Sequence, residues 1–284
     1  MTVFKNNFKT VVLLGLLMGL FLFVGGQFGR TGLLMGLIFG AATNLIAWFF
    51  SDKIALSSMR AIEVHADSPG AAARLWHMVD ELRRNADLPM PRVYVCPAES
   101  PNAFATGRSP KKAAVAVTEG ALRLLSEQEL RGVMAHELAH VKNRDTLTSC
   151  VAAMIAGVLS YFAQWGLMFG GMGRDREGGN PIFGLVAILL APIAAALIKA
   201  MISRSREYVA DHHGARIAGT PDGLISALQK LESYSKRIPL PVHNPAMNNM
   251  FIVEPFLGRS ILNMFASHPP TEKRVAALRQ IRAE

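Results

Sequence analysis

Four stretches of this 284-residue chain are almost free of charge, and they restrict its fold more than any other feature of the sequence. Residues 8–29 carry only Lys9, and residues 31–51, 146–173 and 180–198 carry no charged side chain at all. A hydrocarbon core of about 30 Å is crossed by roughly 20 helical residues. Inside it only a helix or a closed barrel satisfies the backbone. The pattern therefore predicts an α-helical integral membrane protein with about four transmembrane helices. A hydrophobic share of 51% and a positive mean hydropathy agree. The first stretch has no convincing small-residue cleavage site, and a second follows almost at once, so it reads as a retained anchor rather than a signal peptide.

Charge sets the expected orientation. Lys5 and Lys9 precede the first span, only Arg30 lies in the turn after it, and Lys53 and Arg60 follow the second. The positive-inside rule puts the N-terminus and the chain after the second span in the cytoplasm. Of the 30 Lys and Arg residues, 13 fall in 51–146 and 11 in 203–284, which suits two cytoplasmic soluble portions. The net charge of +9 has no recognition motif or aromatic-interleaved basic run beside it. It suits an anionic lipid bilayer, not nucleic acid. Cys96 and Cys150 fit a reducing compartment, and neither a disulfide nor a thiolate ligand is expected.

The chemistry is concentrated in His136-Glu137-Leu138-Ala139-His140, an H-E-x-x-H pattern. On a helix the two histidines stand at i and i+4, on one face, so both imidazoles can reach one metal. Glu137 projects from the adjoining face, where a carboxylate can handle the proton of a water without binding the metal itself. The surroundings read as helix from residue 121 to 144. Ser126 and Glu129 form a capping-box signature that opens the apolar-periodic run Leu130, Val133, Met134 and Leu138.

A catalytic zinc takes a third protein ligand. Glu207 and Asp211 are again at i and i+4. One can bind metal while the other accepts the ring N–H of a ligand histidine. His212 and His213 are rival ligands, and ordinary pairing with Arg204 and Arg206 is the plain alternative for the two acids. His136 and Glu207 can share a metal only if the chain between them crosses the membrane an even number of times. The third and fourth stretches provide two crossings. With Pro181, Pro192 and several glycines in this region, a surface-lying apolar hairpin is the alternative. Asp145 lies five residues beyond His140, so the metal helix runs almost directly into the third stretch.

Four segments occur in order: 102–107 (Asn-Ala-Phe-Ala-Thr-Gly), 136–140, 203–211 (Ser-Arg-Ser-Arg-Glu-Tyr-Val-Ala-Asp) and 267–274 (Ser-His-Pro-Pro-Thr-Glu-Lys-Arg). Together they resemble the M48 family of integral-membrane zinc metalloproteases, nearest its bacterial heat-shock proteases, over almost the whole chain. The resemblance implies an α+β zincin-like (gluzincin) protease domain facing the cytoplasm of the bacterial inner membrane. It implies one Zn2+ per chain held by His136, His140 and Glu207, and Glu137 as catalytic base. Misfolded or damaged membrane proteins would be the polypeptide substrates, in quality control under stress. It also suggests His268 as a donor to the oxyanion of the scissile carbonyl, and Arg274 as a structural ion-pair residue. Asn102, Ala103 and Phe104 read either as a turn leading into a core strand, or as an edge strand to which an extended substrate adds. The latter is similar to the substrate-binding strand of thermolysin-like enzymes, and neither motif nor spacing decides between the two readings. Two other functions remain open at this level: a narrow-specificity processing protease, and a non-catalytic membrane scaffold or regulator with a structural zinc.

The expected organisation is a two-helix anchor over 1–51, a first zincin part over 52–146, a transmembrane hairpin over 147–202 and a second zincin part over 203–284. Within the soluble parts we expect an amphipathic helix over 67–85 and a strand over 92–96. β-like segments are expected at 104–105 and 113–117 around a Gly/Pro/Lys turn, with helices over 221–236 and 270–283. Residues 237–258, rich in Pro, Asn and Met, read as an irregular loop.

Overall fold

The computed structural model describes residues 2–26, 28–152, 155, 204–237 and 269–281. Expectations for the fourth apolar stretch, most of the third, the 237–258 loop beyond Arg237 and His268 lie outside these residues.

Helix α1 (Thr2–Gly26) and helix α2 (Gly29–Ser58) are the first two apolar stretches. They extend a few residues beyond the uncharged runs, and both are long and apolar enough to cross a membrane. They form an antiparallel hairpin. Gly32, Gly36 and Gly40, at i, i+4 and i+8, line the face of α2 that meets α1. A Cβ on Gly36 would come within 2.4 Å of the Phe21 carbonyl oxygen, so the helix backbones pack almost in contact. Phe23, Phe39, Leu45 and other large apolar side chains point outward and are exposed, as lipid-facing residues would be. Residues 146–152 are also helical. Leu147, Val151, Ala152 and Ile155 pack with Leu13, Leu17 and Ala47, so the third apolar stretch begins against the first two.

The soluble part is built on a four-stranded sheet of order β1-β2-β4-β3. Its strands are β1 (Ile62–Val64), β2 (Arg92–Cys96), β3 (Ala103–Thr106) and β4 (Ala114–Thr118). β2 and β4 run parallel, and β1 and β3 close the two edges antiparallel. The alternation expected of strands divides the sheet cleanly. Val93, Val115, Val117 and Ala103 face the main core with helix α3 (Ala71–Asn85) and the metal helix. Tyr94, Cys96, Phe104, Ala114 and Ala116 face the other way and pack on Leu56 at the end of α2. The end of α2 is thus seated against this face of the sheet.

The expected single helix over 121–144 is two. Short helix α4 (Glu119–Leu124) ends at Leu125, and helix α5 (Glu127–Asn143) begins after Ser126. The break is caused by the capping box itself. Ser126 sits in extended backbone, its hydroxyl accepts from Glu129 N–H at 3.3 Å, and Glu129 Oε2 accepts from Ser126 N–H at 2.7 Å. β1 was not anticipated by the sequence pattern, whereas the expected Gly/Pro/Lys turn is present and closes with a 3₁₀ turn over Pro110–Lys112. The strand over Arg92–Cys96 matches expectation, and helices α3, α7 (Asp222–Arg237) and α8 (Thr271–Ile281) lie close to their expected ranges. Helix α6 (Arg204–Ala218) packs along α5, and α7 and α8 complete the layer around it.

Candidate metal centre and active site

α5 holds His136 and His140 one turn apart in the middle of the fold. Val133, Met134 and Ala135, just before them, are fully buried and fasten the helix to the core. The two Nε2 atoms lie 3.1 Å apart. α6 brings Glu207 to the same point, with Oε2 3.6 Å from His136 Nε2 and Oε1 3.7 Å from His140 Nε2. Among the described residues these three form a grouping whose ligand atoms all lie within 4.8 Å of one another.

The separations can be tested against a metal. Four donors placed tetrahedrally at zinc's usual bond lengths of roughly 2.0–2.1 Å stand about 3.3 Å from each other. The Nε2–Nε2 separation of 3.1 Å is close to that value, and the two Glu207 oxygens, each 3.6–3.7 Å from one Nε2, leave the carboxylate within reach of the same ion. Two imidazole nitrogens and one carboxylate oxygen, with one position left open, is a donor set seen in catalytic zinc sites rather than closed structural ones. The residues fit the ion.

α6 can approach so closely because of Gly214. Residues 207, 211 and 214 fall at i, i+4 and i+7, on one face of α6. A Cβ on Gly214 would lie 2.9 Å from His136 Cα and 3.0 Å from His136 N. Only a residue without a side chain lets the two backbones meet at this depth.

Each histidine has a carboxylate behind it. Asp211 Oδ1 lies 3.0 Å from His136 Nδ1, an ionic contact bent away from the N–H direction, since that nitrogen has no aligned hydrogen-bond partner. Both oxygens of Asp145 lie 3.1 Å from His140 Nδ1. With Nδ1 engaged in this way, each ring presents Nε2 to the metal position. Asp211 is in turn gripped by Arg274 from α8, Nε donating to Oδ2 at 2.9 Å and Nη2 to Oδ1 at 2.6 Å. Asp211 pairs here, not with Arg204 or Arg206 as in the plain alternative. Arg274 is 1% exposed, and its Nη2 also comes within 3.5 Å of His136 Nε2.

The charges follow from this arrangement. Burial opposes the cationic form of His140, but Asp145, Glu207 and Glu137 outweigh it and push its pKa up to about 10 in the metal-free site. Burial likewise works against the Asp211 carboxylate, and the Arg274 guanidinium beside it holds its pKa below the usual range. A cationic metal can replace the proton that the histidines otherwise hold between the carboxylates. Glu137, next to His136 on α5, is buried within electrostatic reach of His140 and Arg274.

The other candidates fall as follows. His213 Nδ1 is paired with Asn143 Oδ1 at 3.0 Å, and neither His212 nor His213 joins the metal grouping. Asn102, Ala103 and Phe104 are buried at the start of β3, which is an edge strand alongside α5. Asn102 is fixed through its backbone, its N–H donating to Thr118 Oγ1 at 2.8 Å and its carbonyl accepting from Thr118 N–H at 2.9 Å. Sequence reasoning gave no structural role to Asp145 or Gly214. The i, i+7 spacing of Gly214 from Glu207 was an available signal. Asp145 had none beyond its nearness to His140.

Comparison with known proteins agrees with this geometry. The profile described as Peptidase family M48 matches residues 69–282. A "Protease HtpX homolog" of Desulforapulum autotrophicum is 48% identical over 280 residues, covering 96% of this chain and 89% of that protein. One from Trichormus variabilis is 49% identical, covering 96% of both chains, and one from Pyrococcus furiosus is 48% identical over 99% of this chain and 96% of its own. The crystal structure of S. mikatae Ste24p shares the fold, with a TM-score of 0.55 at 17% identity, over 97% of this chain and 66% of that one. A family match across three quarters of the residues and near-half identity along almost the full length establish that this chain belongs to peptidase family M48 and is a membrane metalloprotease.

Proposed function

We propose that this protein is a zinc-dependent endopeptidase that cleaves misfolded or damaged membrane proteins at the cytoplasmic face of a bacterial inner membrane, as part of quality control under stress. The observation that carries the reading is the convergence of His136 Nε2, His140 Nε2 and Glu207 on one point at the donor separations of a tetrahedral ion, with Glu137 buried beside it. When bound, zinc supplies Lewis acidity, which acidifies water and polarises a carbonyl.

The chain's own residues do the rest. Glu137 takes a proton from the attacking water and returns it to the leaving amine. Asp211 and Asp145 hold the two imidazoles in the tautomer that leaves Nε2 free. Asn102, Ala103 and Phe104 border the substrate, which lies extended along the free edge of β3 through main-chain hydrogen bonds. His268 donates to the oxyanion. The four apolar stretches form four transmembrane helices, with 147–202 as a hairpin between the two parts of the protease domain. The basic residues after α2 and in 203–284 support the cytoplasmic orientation.

The deciding experiment is casein cleavage by protein purified in detergent with chelator, with and without added zinc, for wild type and Glu137→Gln. Wild type should cleave only with zinc. The variant should bind close to one zinc per chain and cleave nothing. Appreciable cleavage by the metal-loaded variant would remove Glu137 from its role. Reporter fusions after Lys53, Arg144 and Glu284 should all report cytoplasm, with Arg30 and Arg176 outside.

A further inference from the structure

We propose that the turn between β3 and β4, residues 107–112, is a docking site for the phosphate headgroups of anionic lipids, and that this contact seats the edge strand β3 against the bilayer surface. The inference rests on the reading of α2 as a transmembrane helix and of β3 as the strand that borders the substrate.

The position of the turn relative to the membrane can be read from α2. Its 30 residues span about 45 Å, half as long again as a hydrocarbon core. The uncharged part ends at Ser51, beside the exposed aromatic group Trp48, Phe49 and Phe50, and the first charges are Asp52 and Lys53. Aromatic rings followed by a basic residue mark the interface between hydrocarbon and headgroups. The turn is fastened at this level from two sides. The Arg108 guanidinium lies 5.0 Å from the centre of the Phe49 ring. The Thr146 hydroxyl, in the first turn of the helix leading into the third apolar stretch, donates to the Gly107 carbonyl at 2.7 Å.

The turn is also strongly cationic. Arg108, Lys111 and Lys112 are exposed, and none of them has an acidic partner among the described residues. Lys53 lies at the same level, 5.5 Å from the Phe50 ring. The nearest acid on α2, Asp52, is already paired with Arg92 at 3.2 Å. Three turn cations and Lys53, gathered at an interface with no acidic partner of their own among the described residues, match a layer of lipid phosphates.

The turn follows directly on the substrate-bordering strand. Thr106, the last residue of β3, has its hydroxyl 2.9 Å from Cys150 Sγ, and Gly107 follows with a φ of 115°. Headgroups that hold Lys111 and Lys112 therefore hold β3 at a defined height above the membrane.

The test uses the full chain, loaded with zinc, as wild type and as the double variant Lys111→Gln/Lys112→Gln. Binding of short-chain phosphatidylglycerol and of inorganic phosphate is titrated in detergent. Casein cleavage is measured in vesicles of phosphatidylcholine alone and of phosphatidylcholine with phosphatidylglycerol. Wild type should bind phosphatidylglycerol, and the double variant should bind it on the order of 25-fold more weakly, for two lysines at the usual attraction of a basic residue to an anionic surface. Phosphatidylglycerol should stimulate wild-type cleavage, while the variant keeps its phosphatidylcholine rate and loses the stimulation. Equal lipid binding by both proteins would overturn the site, and inorganic phosphate binding as tightly as the lipid would assign it to a soluble anion instead. Lysine-dependent lipid binding by a protein that cleaves nothing would support the site and count against the catalytic assignments alone.

Discussion

Both carboxylate oxygens of Asp145 lie 3.1 Å from Nδ1 of His140, and Asp145 is the residue at which the metal helix gives way to the helix entering the third apolar stretch. Arg144, in the left-handed conformation with φ 56°, ends α5 and turns the chain back so that this contact forms. Ser149 N–H then donates to the Asp145 carbonyl at 3.1 Å, opening the next helix. One residue thus links the orientation of a metal ligand to the start of the third apolar stretch.

Asp145→Ala is expected to weaken zinc binding by about 10–100-fold, the usual cost of losing a group that orients a ligand histidine. Asp145→Asn, whose amide oxygen can still accept the ring N–H, should fall between wild type and Ala. Competition against a chelator of known affinity measures both, and excess zinc should restore cleavage. Unchanged zinc affinity in Asp145→Ala would show that His140 needs no such support.

The ligand set is tested by zinc stoichiometry across four variants. Glu207→Ala should lose most of its zinc and all activity, because two histidines leave the metal under-coordinated. Asp211→Ala should bind zinc weakly and recover in part with excess metal. His212→Ala and His213→Ala should keep both zinc and activity. A histidine variant that loses zinc while Glu207→Ala retains it would reverse the assignment.

Gly214→Ala should disturb the site from outside it. The added methyl meets His136 Cα and N at 2.9–3.0 Å, so one helix backbone must move. Overpacking of this kind costs about 1–3 kcal/mol, and here it shifts Glu207 away from the two histidines. Thermal unfolding and zinc content should both fall. Gly19→Ala, where nothing lies within 4 Å of the new methyl, should change neither.

Glu129 gives a pH dependence with a definite sign. Burial alone would raise its pKa, but hydrogen bonds from Lys230, Ser226 and Ser126 outweigh this and bring it to about 2, from an ordinary value of 4.5. A carboxylate with a depressed folded pKa stabilises the fold above its unfolded value. That contribution is lost as pH falls through the folded value. Metal-free protein should therefore lose thermal stability between about pH 4.5 and pH 2. Glu129→Gln should be less stable than wild type at pH 7, with a shallower loss across that window. Parallel acid profiles would show that Glu129 makes no net contribution.

Much of the molecule was legible in the sequence because much of it is set within a few residues. The i, i+4 pairs His136/His140 and Glu207/Asp211 each share a helix face, whatever surrounds them. Ser126 and Glu129 announce the start of α5, although the break they impose at Leu125 was masked by the apolar run on either side. Uncharged runs the length of α1 and α2 leave a chain in lipid little choice but helix. The tertiary structure alone decided which side chains meet. It put Glu207, rather than His212 or His213, beside the two Nε2 atoms, and brought Arg274 onto Asp211 across 63 residues of sequence. It placed Asp145 behind His140, put β3 at the sheet's edge and packed α2 beneath the sheet. Helical period and capping arise from backbone hydrogen bonds that close over three or four residues, so local sequence determines them. A ligand set depends on how separate helices dock, and that is settled by burial summed over the whole core and by small residues such as Gly214, where the backbones of α5 and α6 come together.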